Sequence, residues 1–367
     1  MSEKCSAMTE GIEKFIRPDL AGFGGYVANK APENLALASK KIIKLDANEN
    51  PYGASPRTLK ALAGYKDWHI YPDAGQVSLR KQLADYTGMD ADCIVATSGS
   101  DELIDELLRL FLAPGDEVID CVPTFEMYRL YTILNHGKVI EVARHNDFTV
   151  NVTAVKSAIT PRTKLIVVAN PNAPTGTITL QKAIVELAET GLPLLVDEAY
   201  YEFCGETVVP LMKKYGNLMV SRTFSKWAGL AGLRIGYGIL PRKIAGYLMR
   251  TKSPYNVTIA AMVAAIETLK DRDYLMQNVK KIIAERDRVF RELRQISWLR
   301  PLPSQANFIL CLVIQGNASR IQQSLQEESV FIRYVDQPLL PNCIRIGIGK
   351  PEENDIVLKK LRELGGT

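Results

Sequence analysis

Between residues 45 and 240, short runs of Val, Ile and Leu alternate with stretches of helical periodicity, and this alternation limits the possible folds more than any other feature of the chain. The apolar runs lie at 93–97, 117–121, 139–143, 164–169, 194–197, 218–222 and 237–240. Several are nearly continuous in apolar residues, as strands covered on both faces of a mostly parallel sheet must be. Helical patterns at 78–86, 101–112, 126–136 and 179–189 separate them. The repeat predicts an α/β fold, a mostly parallel sheet sandwiched by helices. After about residue 252 the pattern changes to two long helical stretches (258–269, 272–296), sparser strands (307–312, 343–347) and a closing helix (352–364). These predict a large domain over 45–250. A smaller α+β domain is expected from 1–44 and 251–367, with the Pro/Gly-containing N-terminal arm joining the C-terminal part.

With 367 residues the chain has room for both domains. Its net charge of +4 comes from interspersed residues of both signs, with no basic block to suggest a nucleic-acid partner. The six cysteines are scattered without a CxxC pair, which fits a reduced, cytoplasmic setting better than a disulfide framework. The first ten residues lack an apolar signal core, and no apolar run is long enough to span a membrane. The three histidines lack metal-ligand spacing, so no metal site is expected.

Five segments carry candidate chemistry. In 221–236, Lys226 lies between small hydroxyl residues and a glycine-rich turn ending in Arg234. A desolvated lysine near other cations has a lowered pKa and can form a Schiff base with an aldehyde. Thr223, Ser225 and Arg234 could hold a phosphate. An aldehyde and a phosphate on one small molecule describe pyridoxal 5'-phosphate, although a surface lysine before a Gly/Ala-rich loop would look the same in isolation. The run 194–197 ends in Asp197, which if buried needs a cationic partner such as a protonated pyridine nitrogen. A helix N-cap is its plainer reading. Tyr200, three residues on, could donate to the ring's phenolic oxygen. Ser100 and Asp101 follow a strand at the start of a helix, where backbone amides bind phosphate. A capping box there would be compatible with that role. Phe125, after another strand, could stack on a flat heterocycle or simply fill core. The turn 170–176 contains two prolines, and its Asn172 could offer an amide to a ligand.

Taken in order, these segments resemble the fold-type I pyridoxal-phosphate-dependent aminotransferases, and within them the histidinol-phosphate aminotransferase branch, over roughly residues 40–350. The most specific matches are Asp46-Ala47-Asn48-Glu49-Asn50-Pro51, Ile70-Tyr71-Pro72-Asp73, Val196-Asp197-Glu198-Ala199-Tyr200, Ser225-Lys226 and Gly232-Leu233-Arg234. The resemblance implies that Lys226 carries the cofactor as an imine and moves the proton, that Asp197 pairs with the ring nitrogen, and that Tyr200 meets the phenolic oxygen. It implies that Phe125 stacks on the ring and that Ser100, Asp101, Thr223, Ser225 and Arg234 hold the phosphate. Tyr71 is implied to reach the neighbouring subunit's phosphate in a homodimer. Asn48, Arg333 and Arg345 are implied to bind substrate, with Arg333 at the phosphate end of histidinol phosphate and Arg345 on a carboxylate. Glutamate and 2-oxoglutarate are the implied co-substrates. The chain departs from the family pattern at Ala173, where an asparagine usually contacts the phenolic oxygen. That leaves Tyr200 as the expected main donor unless Asn172 substitutes.

Two other pyridoxal-phosphate activities share nearly every motif, an aromatic amino-acid aminotransferase and a threonine-phosphate decarboxylase. A non-enzymatic cofactor-binding regulator would need a DNA-binding module that the short N-terminal arm cannot hold. A nucleotide-binding dehydrogenase is disfavoured because Gly229-Leu230-Ala231-Gly232 is not a GxGxxG turn between an early strand and a helix.

Overall fold

The computed structural model describes residues 11–20, 25 and 42–365. In chain order its strands are β1 (Ile43–Lys44), β2 (Ile94–Thr97), β3 (Glu117–Val122), β4 (Lys138–Ala143), β5 (Thr163–Ala169), β6 (Leu194–Asp197), β7 (Leu218–Thr223), β8 (Gly236–Ile239), β9 (Leu299–Pro301), β10 (Phe308–Val313), β11 (Val330–Phe331), β12 (Arg333–Gln337) and β13 (Leu340–Gly347). The main sheet has the order β2-β8-β7-β6-β5-β3-β4. Neighbours from β7 to β4 are parallel, and β8 runs antiparallel to both β2 and β7.

The central parallel strands β5, β6 and β7 are buried on both faces. Leu194, Val196, Val220 and Val168 pack into one buried cluster, while the alternate residues Leu195, Met219 and Val167 pack into another with Leu103 and Leu107. Period-2 alternation therefore distributes a continuous apolar run between two helical layers. The strands expected in the main sheet are found within a residue at each end, whereas the one expected at 343–347 begins three residues earlier, at Leu340. The helix expected at 101–112 is Gly99–Phe111, two residues earlier, because Gly99 takes φ +77° and the Ser98 amide is received by the Glu102 carboxylate. The helix Pro56–Gly64, which periodicity had not revealed, starts on a Ser55 cap with proline at its first position.

A second, antiparallel sheet has the order β12-β13-β10-β9. Its β12 is half-exposed and polar, so it carries no apolar run to betray it. Within it Arg333 and Arg345 are directly opposed across β12 and β13. Residues 43–44 add a short parallel pair to β11. Most of the expected N-terminal arm lies outside the described residues. Among the described residues no helix is long and apolar enough to cross a membrane, and no group of His, Cys, Asp and Glu could hold a metal ion.

Candidate active site

The carboxyl ends of the parallel strands and the turns that leave them enclose a cavity of about 260 Å³. Open α/β sheets place ligands at this edge because the strand-to-helix turns diverge there. Ser100 and Asp101 come from the segment after β2, Phe125 from the one after β3, and Pro171 and Ala173 from the one after β5. Asp197 ends β6 and Thr223 ends β7; Tyr200, Ser225, Lys226 and Arg234 follow and complete much of the wall.

Lys226 Nζ donates to the Ala47 carbonyl at 2.8 Å. Its loop is held by Trp227, which is fully buried, stacks 5.8 Å from Tyr86 and receives the Asn50 amide on its carbonyl at 2.6 Å. Gly229 has φ +69°, and a Cβ there would run into the backbone of Gly53, so only glycine lets the two loops meet.

Asp197 is 5% exposed. Its Oδ2 accepts from the Tyr128 hydroxyl at 2.6 Å and its Oδ1 from the Ala199 amide at 3.1 Å. Burial pushes its pKa up, and the Tyr128 bond works against that rise. The next residue faces away from the cavity: Glu198 is fully buried and accepts from Arg222 Nε at 3.0 Å and Nη2 at 2.8 Å. Asn48 Nδ2 donates to the Tyr200 hydroxyl at 2.9 Å, and the Phe308 ring meets Tyr200 edge-on at 5.2 Å.

At the other end of the cavity, Arg234 Nη2 donates to Asp101 Oδ2 at 2.7 Å, in the first turn of the helix Gly99–Phe111. Thr223 Oγ1 donates to Ser225 Oγ at 3.0 Å and accepts from the Ser225 amide at 3.1 Å. A Cβ on Gly236 would lie 2.5 Å from the Ser100 nitrogen, so β8 and the helix start pack as closely as glycine permits. Helix amides, two hydroxyls and a guanidinium thus converge on one end, as an anion requires.

Five expected site residues are not in the wall. Asn172 is a correction: its Nδ2 donates to the Pro123 carbonyl at 3.0 Å and to Thr175 Oγ1 at 2.8 Å, and its Oδ1 accepts from Thr124 at 2.7 Å. Its amide is consumed in bracing the turn, so it does not replace the missing asparagine, whose position is occupied by the Ala173 methyl. Asn48 is buried behind Tyr200, with φ +56°, and acts on it rather than facing the cavity. Tyr71 is 75% exposed and stacks on Tyr255 at 4.4 Å. Arg345 donates to the Asp46 carbonyl at 2.7 Å and lies 5.4 Å from the Phe308 ring centroid. Arg333 sits opposite it on β12.

Sequence reasoning missed Tyr128 and Glu49, both of which line the cavity. Tyr128 follows Phe125 by three residues, in the first turn of the helix Met127–Leu134, and its amide donates to the Phe125 carbonyl at 3.3 Å. Glu49 pairs with Lys44 at 2.6 Å; it lies in the matched segment 46–51, but the resemblance implies no role for it there.

The sequence pattern described as aminotransferase class I and II matches residues 40–361. A histidinol-phosphate aminotransferase from Dehalococcoides mccartyi is 52% identical over 98% of this chain and 100% of its own length. One from Roseiflexus castenholzii is 42% identical, with 97% and 100% covered. The crystal structure of histidinol-phosphate aminotransferase from Sinorhizobium meliloti in complex with pyridoxal-5'-phosphate is similar at a TM-score of 0.85 and 27% identity, covering 95% of this chain and 96% of that one.

Proposed function

For a chain that belongs to the class I and II aminotransferase family, we propose the transfer of the amino group of histidinol phosphate to 2-oxoglutarate, giving glutamate and the corresponding phosphorylated ketone. The chain is a pyridoxal 5'-phosphate-dependent transaminase. One observation carries the reading: a lysine, a buried aspartate and an anion cup share one cavity, in the arrangement that an aldehyde, a ring nitrogen and a phosphate on a single flat molecule need.

When bound, the cofactor supplies an electron sink for charge that develops at the amine-bearing carbon of the substrate. Lys226 Nζ, directed by the Ala47 carbonyl, moves the proton released from that carbon. Asp197 keeps the ring nitrogen protonated, Tyr200 donates to the phenolic oxygen, and Phe125 covers one face. Ser100, Asp101, Thr223, Ser225 and Arg234 anchor the phosphate. Arg333 and Arg345, register partners on the neighbouring strands β12 and β13, bind the anionic ends of the substrates, since a guanidinium can make two parallel charge-assisted bonds to a carboxylate or phosphate. Asn48 acts through Tyr200. The division into 45–250 and the remainder belongs to this reading. So does a homodimer in which Tyr71 reaches the second subunit's phosphate, supported by its exposure and its stacking on Tyr255. A cytoplasmic setting is supported by the five described cysteines, all free.

A donor screen with 2-oxoglutarate tests the substrate. Histidinol phosphate is expected to exceed phenylalanine, tyrosine and histidine in kcat/KM by about tenfold or more. Faster turnover of an aromatic amino acid would replace this reading with the aromatic aminotransferase, and release of carbon dioxide with the decarboxylase.

A further inference from the structure

We infer that Tyr128 is a positioning residue for the cofactor's ring nitrogen, acting through Asp197. This rests on the assignment of Asp197 to that nitrogen. Tyr128 is 1% exposed, and its hydroxyl donates to Asp197 Oδ2 at 2.6 Å, while the Ala199 amide takes Oδ1 at 3.1 Å. One donor on each oxygen fixes the plane of the carboxylate, and an ionised carboxylate still has acceptor capacity for a ring N–H. The same tyrosine meets Phe125 edge-on, with centroids 5.6 Å apart and planes at 84°. It therefore braces both the residue at the ring's face and the residue at its nitrogen. Its own backbone is tied down, since the Tyr128 amide donates to the Phe125 carbonyl at 3.3 Å and its carbonyl accepts from Thr132 Oγ1 at 2.7 Å.

The electrostatics agree with this geometry. Burial drives Asp197 toward its neutral form, which could not hold a protonated nitrogen, and the Tyr128 hydrogen bond is the leading opposing influence. Tyr128 in turn is pushed well above the ordinary tyrosine range by burial, then by Asp197, with Asp120 adding to the effect. It thus stays a donor across the whole working pH range. A tyrosine that merely satisfied its hydroxyl in the core would have the same contacts but no influence specific to the ring nitrogen.

The test compares binding of pyridoxal phosphate with binding of its 1-deaza analogue, in which carbon replaces the ring nitrogen, to the full-length apoenzyme. Tyr128→Phe is expected to raise the Kd of pyridoxal phosphate about tenfold or more, the size of a lost charge-assisted hydrogen bond, and to leave the analogue within about threefold. In an Asp197→Asn background the same substitution should add nothing, because the two residues act as a unit. Equal weakening of both ligands, no weakening of either, or additive effects in the double variant overturns the inference. If the wild type itself does not distinguish the two ligands, the Asp197 assignment falls and the inference with it. If the wild type distinguishes them and Tyr128→Phe leaves the difference intact, only the inference falls. Thermal unfolding of the apoenzyme shows whether Tyr128→Phe folds. Should it not fold, a difluorotyrosine at 128 keeps the shape, and its effect must again differ between the two ligands; an equal or absent effect is the refuting result.

Discussion

Gly99→Ala separates the anion cup from the fold that carries it. Gly99 has φ +77°, a backbone region that costs an alanine about 1–2 kcal/mol. The new methyl would also run into the Arg234 guanidinium, with Cζ only 3.0 Å away. That group is the far end of a flexible side chain, 48% exposed, so it can swing aside with little further loss of stability. What it loses is its place beside Asp101 at the helix start. Unfolding of the apoenzyme should therefore shift by about 1–2 kcal/mol, the backbone term alone. Affinity for the cofactor should fall by about one to two decades, since a charge-assisted bond to a phosphate is worth about 1.5–3 kcal/mol. The assay is fluorescence titration of the apoenzyme with pyridoxal phosphate and, in parallel, with pyridoxal, which has no phosphate. Only the phosphorylated ligand should weaken. Equal losses for the two ligands, or an unchanged Kd for pyridoxal phosphate in a folded variant, would refute the assignment of Arg234 to the phosphate.

Borohydride reduction of the loaded enzyme should place a pyridoxyl group on the peptide containing Lys226, and Lys226→Ala should lower turnover at least about 10²–10⁴-fold through loss of the proton carrier; a label on another lysine contradicts the site. Arg333→Ala should reduce kcat/KM for histidinol phosphate by about one to two decades and spare glutamate, whereas Arg345→Ala, which also frees the Asp46 carbonyl, should impair both. Steady-state kinetics with each substrate decide this, and an unaffected histidinol phosphate rate in Arg333→Ala favours an aromatic amino-acid substrate. Glu106 is buried, and burial, followed by repulsion from Glu102, raises its pKa from 4.5 to about 7. The folded state then binds more protons than the unfolded one between those values, so this group's contribution to stability falls as pH rises through that window. At full strength the gap is worth about 3 kcal/mol, and solvent screening reduces it to about 1–2 kcal/mol. Glu106→Gln should therefore stabilise the protein at pH 8 and have little effect at pH 4.5, as read by denaturant unfolding; equal effects at both would contradict the sign.

Legibility of the fold and site followed the range of the interactions. The strands could be read because a doubly covered strand must be apolar residue by residue, as 165–169 and 194–196 are. Lys226, Asp197 and Arg234 could be read because each stands at the end of such a run or in its turn. Tyr128 could not, since its partner is 69 residues away and nothing near it records that bond. Asn172 was misread for a related reason: a turn sequence does not say which of two consecutive residues faces the ligand, and here Ala173 does while Asn172 is taken up by Pro123, Thr124 and Thr175. The strand bearing Arg333 alternates polar and half-buried residues, a pattern that loops share.

The reversed strand β8 gives the loop before it an unusual property. Thr223 and Gly236 are paired across β7 and β8, so the chain leaves the sheet and re-enters it at the same edge after twelve residues. Lys226 and Arg234 both belong to that excursion, and both line the cavity. Under the proposed cofactor assignment, a single stretch of backbone with fixed endpoints sets the span between the aldehyde and the phosphate and works as a length gauge. Loops that merely connect elements can lengthen outward at small entropic cost. One residue inserted between Lys226 and Arg234 would instead change the gauge itself, and would mismatch the ligand while leaving β7 and β8 in place.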